Sequence, residues 1–314
     1  MPDPSTPPYG GVGIALPTID AFGHGTPVIE VAQAAERAGL DHAWVPDHLV
    51  FHRPVLEATT ALAVVAGATA RIRLGSAILN PTLRPVTWLA KHLATLEALA
   101  PGRLLLGVGL GGEYEPEFRA AGVDPRTRAR RLDEALELLP RLMAGEAVQH
   151  AGAYEVDCPG LAPAPDVLPP VLVGGRSEAA LRRAARFGDA WLPMWMDPEQ
   201  VAAGRARLAE LAAEHGRPAP GVALVAFVNA GEQRLRARAE AADLIRRQYG
   251  MPFERVERWA LLGSVEEIAE RLAAYREAGV DGFCLSPAHP QPLAQVEPVA
   301  AVREELGRIG KVAA

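Results

Sequence analysis

Two adjacent residues, Asp47 and His48, place a carboxylate beside an imidazole shortly after the apolar run His42–Val45, from which only Pro46 separates them. Imidazole is the only side chain whose ordinary pKa lies near neutrality, so this pair could transfer protons to and from a substrate. Alternatively, Asp47 caps the turn that follows the run, and His48 lies on the rim of that turn. The two residues by themselves leave both interpretations open.

A glycine pattern, Gly107-x-Gly109-x-x-Gly112, ends another apolar run and matches the spacing of a dinucleotide-binding fingerprint. The residues that follow are three acids with a proline among them: Glu113, Glu115, Pro116 and Glu117. They place negative charge and a helix breaker where the fingerprint needs an anion and a helix. We therefore interpret these glycines as a rim that admits a flat ligand, or as a tight turn.

The segment Gly174-Gly175-Arg176-Ser177 combines the end of an apolar run, two glycines and a helix N-cap. Glycines at such a turn expose backbone N–H groups, and a helix N-terminus attracts negative charge, so a phosphate would fit here. Because βα turns also use glycine for its conformational freedom, an ordinary turn explains the same residues. The segment is a candidate anion site.

The sequence contains no motif for nucleophilic or metal chemistry: no GxSxG elbow, HExxH helix, P-loop or paired Cys/His ligands. Cys158 and Cys284 lack the spacing of a zinc site or a disulfide framework, so we expect reduced thiols. A bound cofactor that carries the chemistry, with the protein supplying position and one proton donor, would explain this absence.

Composition and charge exclude several classes of protein. The 314 residues are 49% apolar and 22% charged, as in a globular chain, and a net charge of −6 gives no positive field for nucleic acid. The most apolar uncharged stretch, Ala58–Ala70, has 13 residues, whereas a membrane-spanning helix needs about 20. No Lys or Arg precedes Arg37, so we expect no secretory signal, a cytoplasmic location and a flexible tail over Met1–Pro8.

Short apolar runs alternate with amphipathic stretches along the whole chain, which predicts βα units in a single domain over residues 1–314. Most of the runs do not alternate with polar residues, as strands buried on both faces require. Eight such runs predict a (β/α)8 TIM barrel. They are Gly11–Leu16, His42–Val45, Ile72–Leu79, Leu104–Gly109, Val171–Val173, Ala190–Leu192, Val222–Val228 and Gly282–Ser286.

Three segments exceed normal βα connections and are predicted insertions after strand 4, before strand 5 and near strand 7: Leu110–Pro125, Gly145–Pro169 and Tyr249–Leu262. The first and last are expected to wall an active site. After the seventh run we expect one long helical region that includes the capping box Ser264-x-x-Glu267 and ends near Gly279.

Taken in order, many segments of the chain resemble one family, the luciferase-like monooxygenases, which are bacterial barrels that use FMN or the deazaflavin coenzyme F420. The resemblance covers nearly the whole chain. It rests on Ala38-Gly39-Leu40-Asp41, Asp47-His48, Arg73–Ile78, Leu89-Ala90-Lys91, Leu96-Glu97, Gly102-Arg103-Leu104, Gly107-Val108-Gly109, Glu117-Phe118, Gly122-Val123, Arg131–Glu134, Val173-Gly174-Gly175 and Gly188–Trp191.

The resemblance implies where the cofactor lies. In the family the central flavin ring leans on a bulge with a non-prolyl cis peptide, which here maps onto Ala77–Ile78. Backbone amides matching Val173, Gly174 and Gly175, next to Arg176, hold the phosphate. An Asp-His pair borders the ring in the deazaflavin branch, whereas many FMN-using members carry Glu-His-His. Asp47-His48 therefore favours F420, with FMN as the alternative.

The implied reaction is hydride transfer between F420 and a small organic substrate. Asp47, Asn80, the Ala77–Ile78 bulge and the rim of Gly107 and Gly109 would hold the ring, and His48 would transfer the balancing proton. The expected substrate pocket includes His52, Glu113 and Trp195.

Some sugar-oxidising members carry a Trp four residues after this His and a Glu next to the glycines, where this chain has His52 and Gly112. A sugar-phosphate substrate is therefore not expected.

Two rival interpretations remain. The first is a monooxygenase of the same family that uses O2 and reduced FMN supplied by a partner flavin reductase. The second, from a different class, is a barrel without activity that serves as a binding subunit; the glycines and His48 argue against it. The expected partners are a small-molecule substrate and a second copy of the chain in a homodimer.

Overall fold

The computed structural model describes residues 7–20, 27–112 and 114–312, so most of the predicted tail, residues 1–6, lies outside the described residues. Eight of the described strands form a closed parallel barrel in the order β1-β2-β3-β4-β7-β8-β9-β11, with β11 pairing back to β1. The strands are β1 Gly11–Ala15, β2 His42–Val45, β3 Arg73–Ser76, β4 Leu104–Val108, β5 Val148–Ala151, β6 Glu155–Cys158, β7 Val171–Gly174, β8 Ala190–Leu192, β9 Gly221–Ala230, β10 Leu261–Gly263 and β11 Gly282–Pro287.

Helices surround the barrel and cover its outer face. They are α1 Pro27–Arg37, α2 Ala58–Ala68, α3 Val86–Leu99, α4 Pro116–Ala120, α5 Arg128–Met143, α6 Glu178–Phe187, α7 Pro198–Glu214, α8 Arg234–Tyr249, α9 Val265–Glu277 and α10 Val296–Val312. The largest apolar cluster lies between these helices and the outward-facing strand residues, and a smaller one fills the barrel interior. The predicted TIM barrel is confirmed, and each of the eight apolar runs contributes one barrel strand.

Successive residues of β2 face opposite sides of the barrel wall, as strand geometry requires. Ala43 and Val45 pack in the outer cluster, whereas the Trp44 indole packs in the interior one. The ring lies against Gly75 of β3, where an added Cβ would overlap it. Gly75 therefore leaves the space that this indole fills.

The region after the seventh barrel strand differs from the prediction of one long helical stretch, which is wrong. Helix α8 ends at Gly250, whose φ of 63° suits a glycine C-cap, and Pro252 follows. Leu261–Gly263 then adds β10 to the side of β9, and the Ser264 capping box begins a separate helix, α9. A local pattern shows helix starts, but it does not show that a three-residue strand intervenes.

The other two insertions also have structure that the sequence did not reveal. The segment after β4 contains the short helix α4, and the segment before β7 contains the antiparallel hairpin β5–β6. Two hydrogen bonds hold the turn after β3. The Tyr154 hydroxyl, between β5 and β6, donates to the Pro81 carbonyl at 2.9 Å, and Arg131 Nε, on α5, donates to the Thr82 carbonyl at 2.8 Å. The hairpin and α5 therefore both support residues that follow the Ala77–Ile78 bulge.

Among the helices that the structure describes, none is both long and apolar enough to cross a membrane. Cys158 and Cys284 are buried, unbridged thiols, as expected. Within the described ranges, no three His, Cys, Asp or Glu side chains come together in a group that could hold a metal ion.

His42 gives the fold a specific pH dependence. Its ring is fully buried and donates from Nε2 to the Gly10 carbonyl at 2.7 Å, and burial lowers its pKa from 6.5 to about 4. Between those values the unfolded chain binds a proton that the folded protein does not, so the free energy of unfolding falls as pH falls from 6.5 toward 4. Between pH 7 and pH 5 the free energy of unfolding is expected to fall by about 2 kcal/mol.

The measurement is urea unfolding of the wild type and of His42→Gln at pH 7 and pH 5. Glutamine cannot be protonated, so the variant should lose about 2 kcal/mol less than the wild type over this range. Equal losses in the two proteins would contradict the assignment.

Candidate active site

Two adjoining cavities open where the barrel strands end. The bulge cavity, of about 320 Å³, is lined by Asp47, His48, Ala77, Ile78, Asn80, Gly174, Gly175, Arg176, Trp195 and their neighbours. The mouth cavity, of about 770 Å³, is bordered by Trp44, Phe227, Cys284, Ser286, His289 and others. The two share a wall of Pro46, Ala77, Met194, Val225 and Tyr249. Most of the predicted site residues therefore surround one space.

The bulge after β3 lies on the wall of the bulge cavity, and its Ala77 also lines the mouth cavity. Its peptide between Ala77 and Ile78 is cis without a proline, as expected from the family resemblance. Hydrogen bonds to both neighbouring strands hold it: Ala77 N donates to the Val45 carbonyl at 2.8 Å, and Leu79 N donates to the Gly107 carbonyl at 2.7 Å. Ala77 and Ile78 are thereby presented to the bulge cavity at a fixed position.

Asp47 joins the ends of β2 and β3 from a buried position. Its Oδ2 accepts the Asn80 N–H at 2.8 Å, and its Oδ1 accepts from Arg84 Nη2 at 2.9 Å. Burial raises the pKa of the Asp47 carboxyl, while the Arg84 guanidinium and the Asn80 N–H oppose that shift. Asp47 thus fixes the polypeptide beside His48 and is not the cap of its own turn.

The His48 ring lies between an aromatic side chain and a carboxylate. It stacks on Phe51 with ring centroids 3.8 Å apart and planes 12° apart. Its Nδ1 donates to Oε2 of Glu117, on helix α4, at 3.3 Å. The Glu117 side chain is completely buried, whereas 12% of the His48 side chain is exposed. One carboxylate and one ring therefore set the orientation of the imidazole.

The turn after β7 has the features of an anion site. Gly174 and Gly175 line the bulge cavity and bring backbone close to it, and Gly175 has a φ of 117°. Ser177 caps α6, its Oγ accepting the Ala180 N–H at 3.2 Å, so the N-terminus of a ten-residue helix points to this end of the cavity. The exposed Arg176 guanidinium lies 5.8 Å from the Trp195 ring and adds positive charge.

Two buried polar groups on the cavity wall have hydrogen-bond donors without a partner among the described residues. They are Asn80 Nδ2 and Trp195 Nε1. Asn80 is 2% exposed, and its Oδ1 already accepts from the Thr82 hydroxyl at 2.6 Å, so only its amide donor remains unused. Buried donors without partners are costly, and a polar ligand in the bulge cavity would satisfy these two.

Several predicted residues lie elsewhere. Gly107 and Gly109 are not on the cavity wall; a Cβ at Gly107 would overlap the Ser76 carbonyl, and one at Gly109 would overlap the Ile78 side chain. Their small size lets the bulge pack on β4. Val173 is fully buried in the outer apolar cluster and is not on the cavity wall. His52 is exposed, contacts Tyr114 edge-on at 4.6 Å and is not on the wall of either cavity. Glu113 lies outside the described residues.

Sequence reasoning missed two charged residues of the site, Arg84 and Glu117. Arg84 follows the bulge by a few residues, and no motif marks it. Glu117 belongs to one of the segments that carry the family resemblance, but it lies in an insertion whose path the sequence does not show. Only the position of α4 brings it to His48.

Comparison with known proteins identifies the family of the chain. The family model of the luciferase-like monooxygenases matches residues 15–282. The chain belongs to this family. An F420-dependent glucose-6-phosphate dehydrogenase from Beutenbergia cavernae is 37% identical over 167 residues, an alignment that covers 50% of this chain and 49% of that protein.

Two solved structures share the fold. An F420-dependent secondary alcohol dehydrogenase superposes with a TM-score of 0.84 at 20% identity, covering 95% of this chain and 99% of that one. A monooxygenase from Streptomyces bottropensis superposes with a TM-score of 0.79 at 22% identity, covering 97% and 100% of the two chains. The fold is thus common to dehydrogenases and monooxygenases, and the choice between these activities depends on the residues of the site.

Proposed function

We propose that this protein is an F420-dependent oxidoreductase that transfers hydride between the coenzyme and a small organic substrate. The observation that carries the proposal is that His48, the cis bulge at Ala77–Ile78 and the Gly174-Gly175 turn line one cavity. The relative that is 37% identical is F420-dependent by name.

The residues that line the bulge cavity suit a flavin or deazaflavin cofactor that carries a phosphate. Gly174, Gly175 and Arg176 would receive the phosphate, the bulge would support the ring, and the unused donors of Asn80 and Trp195 would satisfy polar groups of the ligand. When bound, F420 supplies two-electron hydride chemistry that no side chain can perform.

His48 is the residue proposed to move the proton. Hydride removed from, or delivered to, a carbon next to an oxygen or a double bond leaves charge that one proton must balance. The imidazole lines the bulge cavity, and its Nε2 makes no hydrogen bond within the described residues. Asp47 fixes the backbone segment beside His48 by its hydrogen bond to Asn80, and the Phe51 ring fixes the plane of the imidazole by stacking on it.

The mouth cavity is the proposed substrate space. Ala77 belongs to both cavities, so a substrate there would lie next to the ring. Its charged lining includes the acids Asp20 and Glu30 and the base Arg247, whose guanidinium pairs with Asp20 at 3.4 Å and with Asp243. Since the cation is already paired, this lining disfavours a phosphorylated substrate, in agreement with the expectation against sugar phosphates.

The test is titration of the purified protein with F420 and with FMN, followed by turnover assays over alcohols, carbonyl compounds and activated alkenes. We expect F420 to bind at least about tenfold more tightly than FMN, a difference of about 1.4 kcal/mol, and to support turnover. Turnover only with reduced FMN and O2 would identify the monooxygenase alternative. Binding of neither cofactor would favour the inactive binding subunit.

The predicted homodimer, and a flavin reductase partner in the FMN case, remain predictions. Measurement of the molecular mass in solution and activity assays with and without an added reductase would test them.

A further inference from the structure

We propose that Glu117 positions His48 for proton transfer by accepting Nδ1–H and leaving Nε2 as the nitrogen that exchanges the proton. This inference rests on the proposed function, because it gives a second residue to the same proton-transfer step. Glu117 acts through His48, and it is not on the wall of the bulge cavity.

The Glu117 carboxylate is completely buried, although its side chain has only one hydrogen-bond partner among the described residues. Its side chain has 0% exposure, its Oε2 lies 3.3 Å from His48 Nδ1, and its Oε1 has no hydrogen-bond partner among the described residues. A carboxylate in such surroundings is costly unless a donor or a positive charge compensates it. His48 is the donor that the structure places there.

The residue next to Glu117 anchors this short helix in the protein interior. Phe118 is completely buried, and the turn that follows α4 is closed by the Val123 N–H, which donates to the Phe118 carbonyl at 2.8 Å. With the helix fixed, the carboxylate is presented to His48 from one side while Phe51 covers one face of the ring. The two contacts leave the imidazole one plane and one favoured tautomer.

A carboxylate at this position has two effects on the imidazole. It holds the hydrogen of the neutral ring on Nδ1, so Nε2 has a lone pair ready to accept a proton. It also stabilises the imidazolium that forms after proton uptake. Among the described residues, other titratable or charged groups lie near the ring or on the same cavity wall: Asp47 with its partner Arg84, Arg176, Arg183, His52 and Tyr114 beyond Phe51, and Tyr249 on α8.

The test compares Glu117→Gln with two reference variants. Gln keeps the size and one acceptor oxygen but removes the charge, whereas Glu117→Asp keeps the charge at a greater distance from His48. Glu115→Gln is the matched control, because it removes the same charge from the start of the same helix at a side chain that is 67% exposed and paired with Arg119.

The first measurement is NMR titration of the His48 ring in the protein without cofactor, with the signal assigned by its loss in His48→Gln. In Glu117→Gln we expect the titration midpoint to move to lower pH, because the imidazolium loses a nearby opposite charge. Glu117→Asp should show a smaller movement, and Glu115→Gln almost none. An unchanged midpoint in a folded Glu117→Gln protein would overturn the proposal.

The second measurement is the pH profile of kcat with F420 and the best substrate. Glu117→Gln should lower kcat by about tenfold or more, part of the contribution of the positioned base, and move the limb of the profile that reports His48 in the same direction as the NMR midpoint. KM and the F420 Kd should stay near the wild-type values. A fall in melting temperature with an unchanged profile would show a purely structural role and refute positioning. If F420 does not bind, the proposed function fails, but the NMR result still shows whether Glu117 acts on His48.

Discussion

His48→Ala is expected to lower kcat by about 10²–10⁴-fold while the Kd of F420 changes little. The ring lines the bulge cavity beside the cis bulge, and its loss removes the group that is proposed to take up or release the proton. The cofactor is expected to keep its affinity because its proposed contacts are the bulge, Asn80 and the backbone of Gly174 and Gly175.

Two other roles for His48 predict different results. If the ring only packs against the cofactor, the variant should bind F420 more weakly at a nearly normal kcat. If it only stabilises the loop by stacking on Phe51, the melting temperature should fall while kcat of the folded fraction stays normal. The measurement of kcat, Kd and melting temperature on the same variant separates the three, and a kcat within about threefold of wild type would refute a proton-transfer contribution of this size.

Gly175→Asp is expected to abolish cofactor binding. The new carboxylate would lie at the turn that precedes the N-terminus of α6, where the phosphate is proposed to bind. Two negative charges about 4 Å apart at the protein surface repel each other by about 4 kcal/mol, which corresponds to a loss in affinity of about a thousandfold.

The control for this variant is Gly175→Ala. The φ of 117° strains any side chain, and a Cβ would lie 2.8 Å from the Ala180 Cβ, so both variants are expected to lose stability. The difference between the alanine and aspartate variants isolates the effect of the charge. Titration of both by calorimetry gives that difference. Equal affinities of the two folded proteins would place the phosphate elsewhere.

The barrel strands could be predicted from sequence because each one is a local pattern. Runs such as Leu104–Gly109 and Val222–Val228 lack polar alternation, and two-sided burial in a parallel barrel is the arrangement that accommodates them. The turn at Gly174 and Gly175, which is the candidate anion site, could be located for the same reason, since the strand end, the glycines and the cap are contiguous. The cis peptide followed from the family resemblance, because no residue pattern near Ala77 requires it.

The parts that were missed depend on contacts between distant segments. Glu117 was interpreted as one acid in a row that excluded a dinucleotide site, and its burial against His48, 69 residues away, depends on where α4 docks. Gly107 and Gly109 were assigned to the ligand rim, but the nearest groups to them belong to Ser76 and Ile78 of the preceding βα unit. Tertiary packing decides both cases, and a linear pattern does not contain it.

The Trp44 indole, which fits against Gly75 inside the barrel, also borders the mouth cavity. The bottom of the proposed substrate space is therefore part of the hydrophobic core. A larger residue at position 75 would push the indole toward the substrate, and a smaller residue at position 44 would deepen the space along the barrel axis. Core side chains at the bottom of the cavity thus limit the size of the molecule that this protein accepts. A mutation here that changes the range of substrates would therefore also change the stability of the protein.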